Sequence, residues 1–271
     1  MYEEYWGFKE KPFQNTPDPR FFYKSAEHED ALMKMLYVVE EGLGGGVLTG
    51  VFGCGKTVVS QALLEKLPSD KYKIAVITNP QLEYVDLLRA IVRNLKSVKL
   101  PVKKTELSAD SLLEILGNIL ENNDRDGRET VIVIDEAHII RDESIFEALR
   151  LLLNFQKKDK FLLTLLLFGQ PELKQRIEDN KQLEQRIAVK SHLEAFGQQD
   201  TRNYIIHRLR VVQGADTVFD ENVFEIIHNR SGGIPRRINR ICDLSLLIGS
   251  SKDAKSIDEE TVEESLQTLK D

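Results

Sequence analysis

The residues best able to do chemistry lie in GVFGCGKT, residues 50–57, which fits the phosphate-binding pattern G-x-x-x-x-G-K-[ST] in full. Glycines at 50, 53 and 55 permit backbone torsions that turn successive N–H groups inward around phosphate oxygens. A helix starting near Lys56 would aim its positive end at the same anion. Lys56 supplies a point charge to the outer phosphates, and the Thr57 hydroxyl is a ligand for Mg2+. Gly50, Gly53, Cys54, Gly55, Lys56, Thr57 and Val58 form the expected nucleotide-binding set, with Cys54 read as a loop-filling side chain. The implied cofactors are ATP and Mg2+.

A second motif, VIVIDEAH at residues 131–138, is an apolar run ending in two acids. Asp135 at a strand end is placed to hold the metal with Thr57. Glu136, one residue on, projects differently and is expected to polarise the attacking water. His138 reads as structural.

These motifs need a scaffold that brings strand ends together. GGVLTG, KIAVITN, TVIVIDE and LLTLLLFG read as strands, and all are continuously apolar, as parallel strands covered on both faces should be. AVKSHLEAF (188–196) reads as a weaker fifth strand. Helical patterns separate them, including SAEHEDALMKMLYVVEEG, capped by Ser25, and SADSLLEILGNILENN. This alternation specifies an α/β domain around a parallel sheet. After Phe196 every segment has helical periodicity. The expected domains are an aromatic N-terminal arm at 1–24 packing on the ATPase core, an α/β nucleotide-binding domain at 25–196, and an α-helical domain at 197–271. The arm earns its name because eight of the twenty aromatic residues fall in the first 23 positions, punctuated by prolines 12, 17 and 19.

Composition narrows the alternatives. Net charge is −7, which argues against coating nucleic acid by bulk charge. The longest nearly apolar stretch, FLLTLLLFG, is half a membrane span, and the N-terminus lacks a secretory signal pattern. Two cysteines, Cys54 and Cys242, make no disulfide framework, and the five histidines lack metalloprotease spacing. A cytoplasmic protein is expected.

With these residues in hand, the chain resembles the AAA+ ATPases, and more closely the general secretion pathway protein A (ExeA-type) family. The resemblance rests on the YWGFKEKPF…TPDPRFFY leader, GVFGCGKT, IDEAH, FGQPEL followed by QRI, and SGGIPRRINRICDLSLL. It implies a five-stranded P-loop core with a helical lid, and active sites shared between subunits of a ring or filament. It also implies roles for single residues. Gln170 looks like the polar sensor of the γ-phosphate or attacking water, and Arg186 like the arginine finger given to a neighbouring subunit, with Arg176 as its competitor. Arg236 looks like the lid arginine reaching the nucleotide, and Asn79 resembles the polar residue that restrains the catalytic glutamate.

Full-length secretion members of that family carry a membrane span and a peptidoglycan-binding part, which this sequence does not show. Shorter relatives resemble accessory ATPases of pilus and exopolysaccharide assembly, which suggests a protein partner in envelope or surface-polymer assembly, contacted at the inner membrane. The same group is similar to TniB-type ATPases that assemble on DNA and recruit a transposase. That alternative would draw on Lys96, Lys99, Lys103 and Lys104 as a DNA-facing loop.

Overall fold

The computed structural model describes residues 2–95, 108–158 and 160–269. The lysine loop with Lys96, Lys99, Lys103 and Lys104 lies outside the described residues. The chain divides into two compact units.

One unit, Asp30–Gly50 and Ala62–Leu193, is built on a parallel sheet. Its strands are β1 (Gly45–Gly50), β2 (Tyr72–Ile77), β3 (Glu129–Ile134), β6 (Leu163–Gly169) and β7 (Ile187–Leu193). Their order is β2-β3-β6-β1-β7, with every neighbouring pair parallel. Three of the four runs read as continuously apolar, β3, β6 and β1, are the central strands, while the fourth, β2, lies at an edge and is only partly buried. All residues of β1 and β6 are buried, whereas β7, at the sheet edge, alternates between buried and exposed. Helices α4 (Tyr84–Asn94), α5 (Ala109–Arg125) and α6 (Glu143–Leu152) bury leucines and isoleucines in the same core as β3 and β6. Ser108 caps α5 by accepting from Ser111 N at 3.2 Å, and Asp142 caps α6 through Ser144 N at 2.9 Å.

Two details differ from expectation. The last strand ends at Leu193, not Phe196, because after Leu193 the chain leaves the sheet. Between α6 and β6 stands a small antiparallel hairpin, β4 (Gln156–Lys157) and β5 (Lys160–Phe161), with Lys158 at φ 57° in its turn. The segment QKKDKF has one aspartate but no glycine or asparagine for the positive-φ position, which a lysine takes, so its turn signal is weak.

The other unit comprises Met1–Glu29, Val51–Gln61 and Glu194–Asp271. Its helices are α1 (Tyr2–Trp6), the first turn of α2 (Ala26–Glu40), the start of α3 (Lys56–Lys66), α9 (Gln198–Val211), α10 (Val223–Ser231), α11 (Pro235–Ser251) and α12 (Glu259–Thr268). The leader, expected on the α/β domain, buries its aromatics here instead: Tyr2, Phe8, Phe13 and Phe21 share a core with Ile205, Leu209, Ile238 and Leu246. Each such ring contributes about 1.5–3 kcal/mol on burial. Arg208 on α9 explains the choice of partner. Only 4% exposed, it donates to Pro12 O at 2.5 Å, Gln14 O at 2.9 Å and the Tyr204 hydroxyl at 2.8 Å. Its guanidinium also lies 4.5 Å from the Phe21 ring centroid, so one buried cation ties the proline-rich leader to the helical bundle.

Candidate active site

In the helical unit the phosphate loop follows β1 directly and ends in α3, as the motif requires. Gly53 and Gly55 take φ of 86° and 106°, a region that side chains strongly disfavour. Space demands glycine as well: a Cβ on Gly53 would come within 2.8 Å of Arg236 Cβ, and one on Gly55 within 3.0 Å of His28 Nε2. The Lys56 ammonium donates to Val51 O at 3.1 Å, so it lies within the curl of the loop, where the donor set suits phosphate. Thr57 occupies the first turn of α3. Cys54 is fully buried, and burial pushes its thiol pKa up, so it fills the loop as expected and is not an activated thiolate.

Two residues from outside the motif hold the loop, one by its side chain and one by its backbone. His28, 3% exposed, lies 2.8 Å from Cys54 O through Nε2 and 2.8 Å from Ser25 Oγ through Nδ1. Because a carbonyl only accepts, Nε2 carries the proton and the Ser25 hydroxyl donates to Nδ1. Burial lowers the His28 pKa and keeps this neutral form. Arg236, second residue of α11, donates its backbone N–H to Gly53 O at 3.2 Å. Beside the loop is a small cavity of about 40 Å³ whose lining mixes Phe22, Tyr23, Val58 and Phe196 with the polar Asp18 and Arg208. Sequence reading missed His28; its position in the capped first turn of α2 gave no sign of a partner 26 residues on.

In the sheet unit the acids stand at the C-terminal end of β3. Asp135, 5% exposed, accepts from Glu136 N at 2.9 Å. Glu136 has φ 53° and ψ 32°, a left-handed conformation rare outside glycine, and it opens the 3-10 turn Ala137–Ile139. Gln170 follows the end of β6, and its Nε2 lies 2.8 Å from His138 Nε2. His138 Nδ1 in turn lies 3.5 Å from Glu136 Oε2. The sheet thus brings Glu136 and Gln170 together with a histidine between them. Asn79 is not in this set: exposed after β2, its Oδ1 accepts from Gln81 N at 3.3 Å in its own turn.

Arg186 sits elsewhere on the sheet. It precedes β7, whose first residue pairs with Gly45, whereas Gly169 pairs with Thr49 at the other end of β1. About 3.3 Å per residue separates the two ends by roughly 15 Å. Its guanidinium donates to Leu153 O at 3.3 Å and Asn154 Oδ1 at 3.2 Å. Arg176 on α7 (Glu172–Asp179) leans over the Phe146 ring, with one buried guanidinium nitrogen lacking a partner among the described residues.

The phosphate loop in one unit, and in the other an Asp-Glu pair after an inner strand with a polar residue after the neighbouring strand, are each features of P-loop nucleotide-binding proteins. The family model for the AAA domain matches residues 40–177, just over half of the chain. The chain belongs to the AAA domain family. It is 37% identical over 260 residues to general secretion pathway protein A of Aeromonas hydrophila, covering 95% of this chain and 46% of that protein. This AAA chain therefore spans about half the length of the curated relative it matches. The fold is shared with the Aeropyrum pernix ORC2 protein in its ADPNP-ADP complexes, at TM-score 0.72 and 19% identity over 96% of this chain and 72% of that one. Cdc6p of Pyrobaculum aerophilum gives TM-score 0.74 at 19% identity, covering 93% and 71%. RuvB of Thermotoga maritima, a Holliday junction branch migration motor, gives 0.57 at 19%, covering 89% and 69%. Among the described residues, no helix of this AAA protein is long and apolar enough to cross a membrane.

Proposed function

We propose that the chain binds ATP with Mg2+, hydrolyses it at interfaces between its own copies, and uses the cycle to assemble or remodel protein partners of an envelope or surface-polymer assembly system. The observation that carries the ATPase reading is the pair of acids at the end of β3, with Gln170 bonded to His138 and the His138 ring 3.5 Å from Glu136 Oε2. A site built only to bind nucleotide has no need of a carboxylate and a sensor held together.

The chemistry follows from the residues. The loop's N–H groups and Lys56 take the phosphates. Thr57 and Asp135 are the residues that would hold Mg2+, which when bound neutralises charge on the phosphate oxygens. Glu136 accepts the proton of the attacking water as the bond from water oxygen to the γ-phosphorus forms and the bond to the bridging β-phosphate oxygen breaks, releasing ADP. Gln170 orients that water or a γ-phosphate oxygen. Arg236 is the lid arginine, Arg186 the finger offered to a second copy, and Asn79 a restraint on Glu136 in a state other than this one. The domains follow this division of labour: an arm at 1–24, a nucleotide-binding domain at 25–196 and a lid at 197–271.

The protein-partner role draws on the similarity to the secretion pathway protein, and the reading that goes with it is a cytoplasmic chain that reaches the inner membrane through its partner. The reading is tested by Mg2+-dependent phosphate release, compared with Lys56→Ala, and by partner capture on the Glu136→Gln form loaded with ATP. Absence of Lys56-dependent release rejects it. A DNA-assembling, TniB-type role is the second reading, favoured by the fold shared with an ORC assembly bound to DNA. If it holds, the trapped form retains DNA with affinity that falls steeply with salt, by about 0.9 in log–log slope per neutralised phosphate.

A further inference from the structure

His138 was expected to be structural, yet its ring stands between the two groups assigned to the water. Gln170 Nε2 is a donor, so its 2.8 Å contact makes His138 Nε2 the acceptor and leaves the ring proton on Nδ1. That Nδ1 is buried, has no hydrogen-bond partner among the described residues, and lies 3.5 Å from Glu136 Oε2. A buried N–H without a partner costs about 1–3 kcal/mol, whereas a small rotation closes the gap to the carboxylate. The backbone is shaped for the meeting. Glu136 adopts its left-handed conformation just before the 3-10 turn carrying His138, so the backbone reverses there and brings the two side chains to the same end of the strand. At Gly169, the residue before Gln170, a Cβ would come within 2.7 Å of Leu173 Cδ2 and 3.2 Å of His138 N, so the strand end can approach the turn only without a side chain.

We propose that His138 is a positioning residue that joins Gln170 to Glu136, fixing the carboxylate for water activation according to what the sensor amide is bonded to. It touches neither nucleotide nor water and acts through its two neighbours. When a phosphate oxygen draws the Gln170 N–H away, His138 Nε2 is released and the ring is free to turn Nδ1–H onto the Glu136 carboxylate. This inference rests on the ATPase reading above and adds a third member to that site.

The test compares His138→Phe, which keeps a ring of similar bulk, with His138→Gln, which keeps one donor and one acceptor. Phosphate release gives kcat, and titration with a fluorescent ATP analogue gives affinity. For His138→Phe we expect kcat to fall about tenfold, the scale on which lost orienting partners act, with affinity within about twofold of wild type. His138→Gln should recover most of the loss. Adding Gln170→Ala to His138→Phe should cost little more than the worse single change, because the two act as one unit. Full turnover in His138→Phe, equal loss in Phe and Gln variants of unchanged circular dichroism, or multiplicative losses in the double variant would each overturn the link. Wild-type protein without Lys56-dependent release would instead overturn the ATPase reading, which the same plate reports.

Discussion

The guanidinium of Arg236 lies 4.6 Å from the centroid of the Phe52 ring, inside the phosphate loop itself. Phe52 is 55% exposed, an unusual place for a large aromatic, and the ring serves as a shelf for Arg236. Stacking of this kind at an exposed site is worth about 0.5–1 kcal/mol. An arginine meant to reach phosphate must give up that contact. Phe52→Ala should therefore tighten ATP binding by roughly two- to fivefold, the equivalent of the lost stacking. Arg236→Ala should loosen it and abolish the protection ATP gives the lid helices against protease. Titration of both variants with a fluorescent ATP analogue checks the opposite signs; equal loosening in both would mean the ring supports the nucleotide directly.

Lys56→Ala and Glu136→Gln should separate binding from chemistry. The lysine contributes charge-assisted bonds worth about 1.5–3 kcal/mol, so its loss should weaken ATP binding roughly 10- to 100-fold and end turnover. The glutamine variant keeps the shape of the β3 end and loses only the proton acceptor. It should bind ATP like the wild type and release no phosphate. Equal loss of affinity in both would contradict the division of roles.

His28 makes loop stability depend on pH. Burial holds its pKa below the ordinary value, so the folded protein keeps it neutral while the unfolded chain takes up a proton near pH 6.5. Below that pH the unfolded state binds more protons, and stability is lost as pH falls until His28 itself protonates. Its surroundings include Glu27 and Asp200, which favour the cation, and the buried Cys54 beside it. His207, also shifted down by burial, adds a loss of the same sign, so the informative quantity is a difference between variants. His28→Gln retains a donor for Cys54 O without a titrating ring. Its melting temperature should fall less than that of the wild type between pH 7 and pH 5. Parallel melting curves would show that His28 carries no part of the dependence.

The chemistry of the chain was more legible than its packing. GVFGCGKT and VIVIDE declare themselves because phosphate and metal binding demand particular residues at fixed spacing, and buried parallel strands demand unbroken apolar runs. Local patterns say nothing of partners distant in sequence. Arg208 reads as one more helical arginine, yet it is buried against backbone carbonyls of Pro12 and Gln14, nearly two hundred residues away. That contact, together with the aromatics, is why the leader packs with the helical bundle. His138 and Asn79 show the same limit from opposite sides. A histidine three residues past Asp135 gave no hint of Gln170, which only the pairing of β3 with β6 brings near. Asn79 lies two residues past the end of β2, and its side chain closes its own turn.

Arg186 decides whether the active site is shared. In this chain it stands at the start of β7, and Glu136 and Gln170 stand beyond the ends of β3 and β6, at the opposite edge of the same parallel sheet. With roughly 15 Å of strand between those edges, a side chain of about 7 Å cannot serve both. The β7 pairing fixes that separation, since Gly45 is opposite Ile187 while Gly50 is opposite Leu193. If Arg186 is a finger, it must therefore act on another copy. Its present bonds, to Leu153 O and Asn154 Oδ1, hold it at the surface and are weak enough to exchange for phosphate. A finger supplied in trans is worth about 10³–10⁵ in rate, or roughly 4–7 kcal/mol at the transition state. Arg186→Ala should then bind ATP normally and lose most of its turnover. Mixed with Lys56→Ala protein it should regain activity, because the lysine variant lends an intact finger to an intact phosphate loop. Specific activity should also rise with protein concentration as copies assemble. Co-assembled mutants that show no rescue, with wild-type activity strictly proportional to concentration, would leave Arg186 a surface residue and pass the finger's role to Arg176.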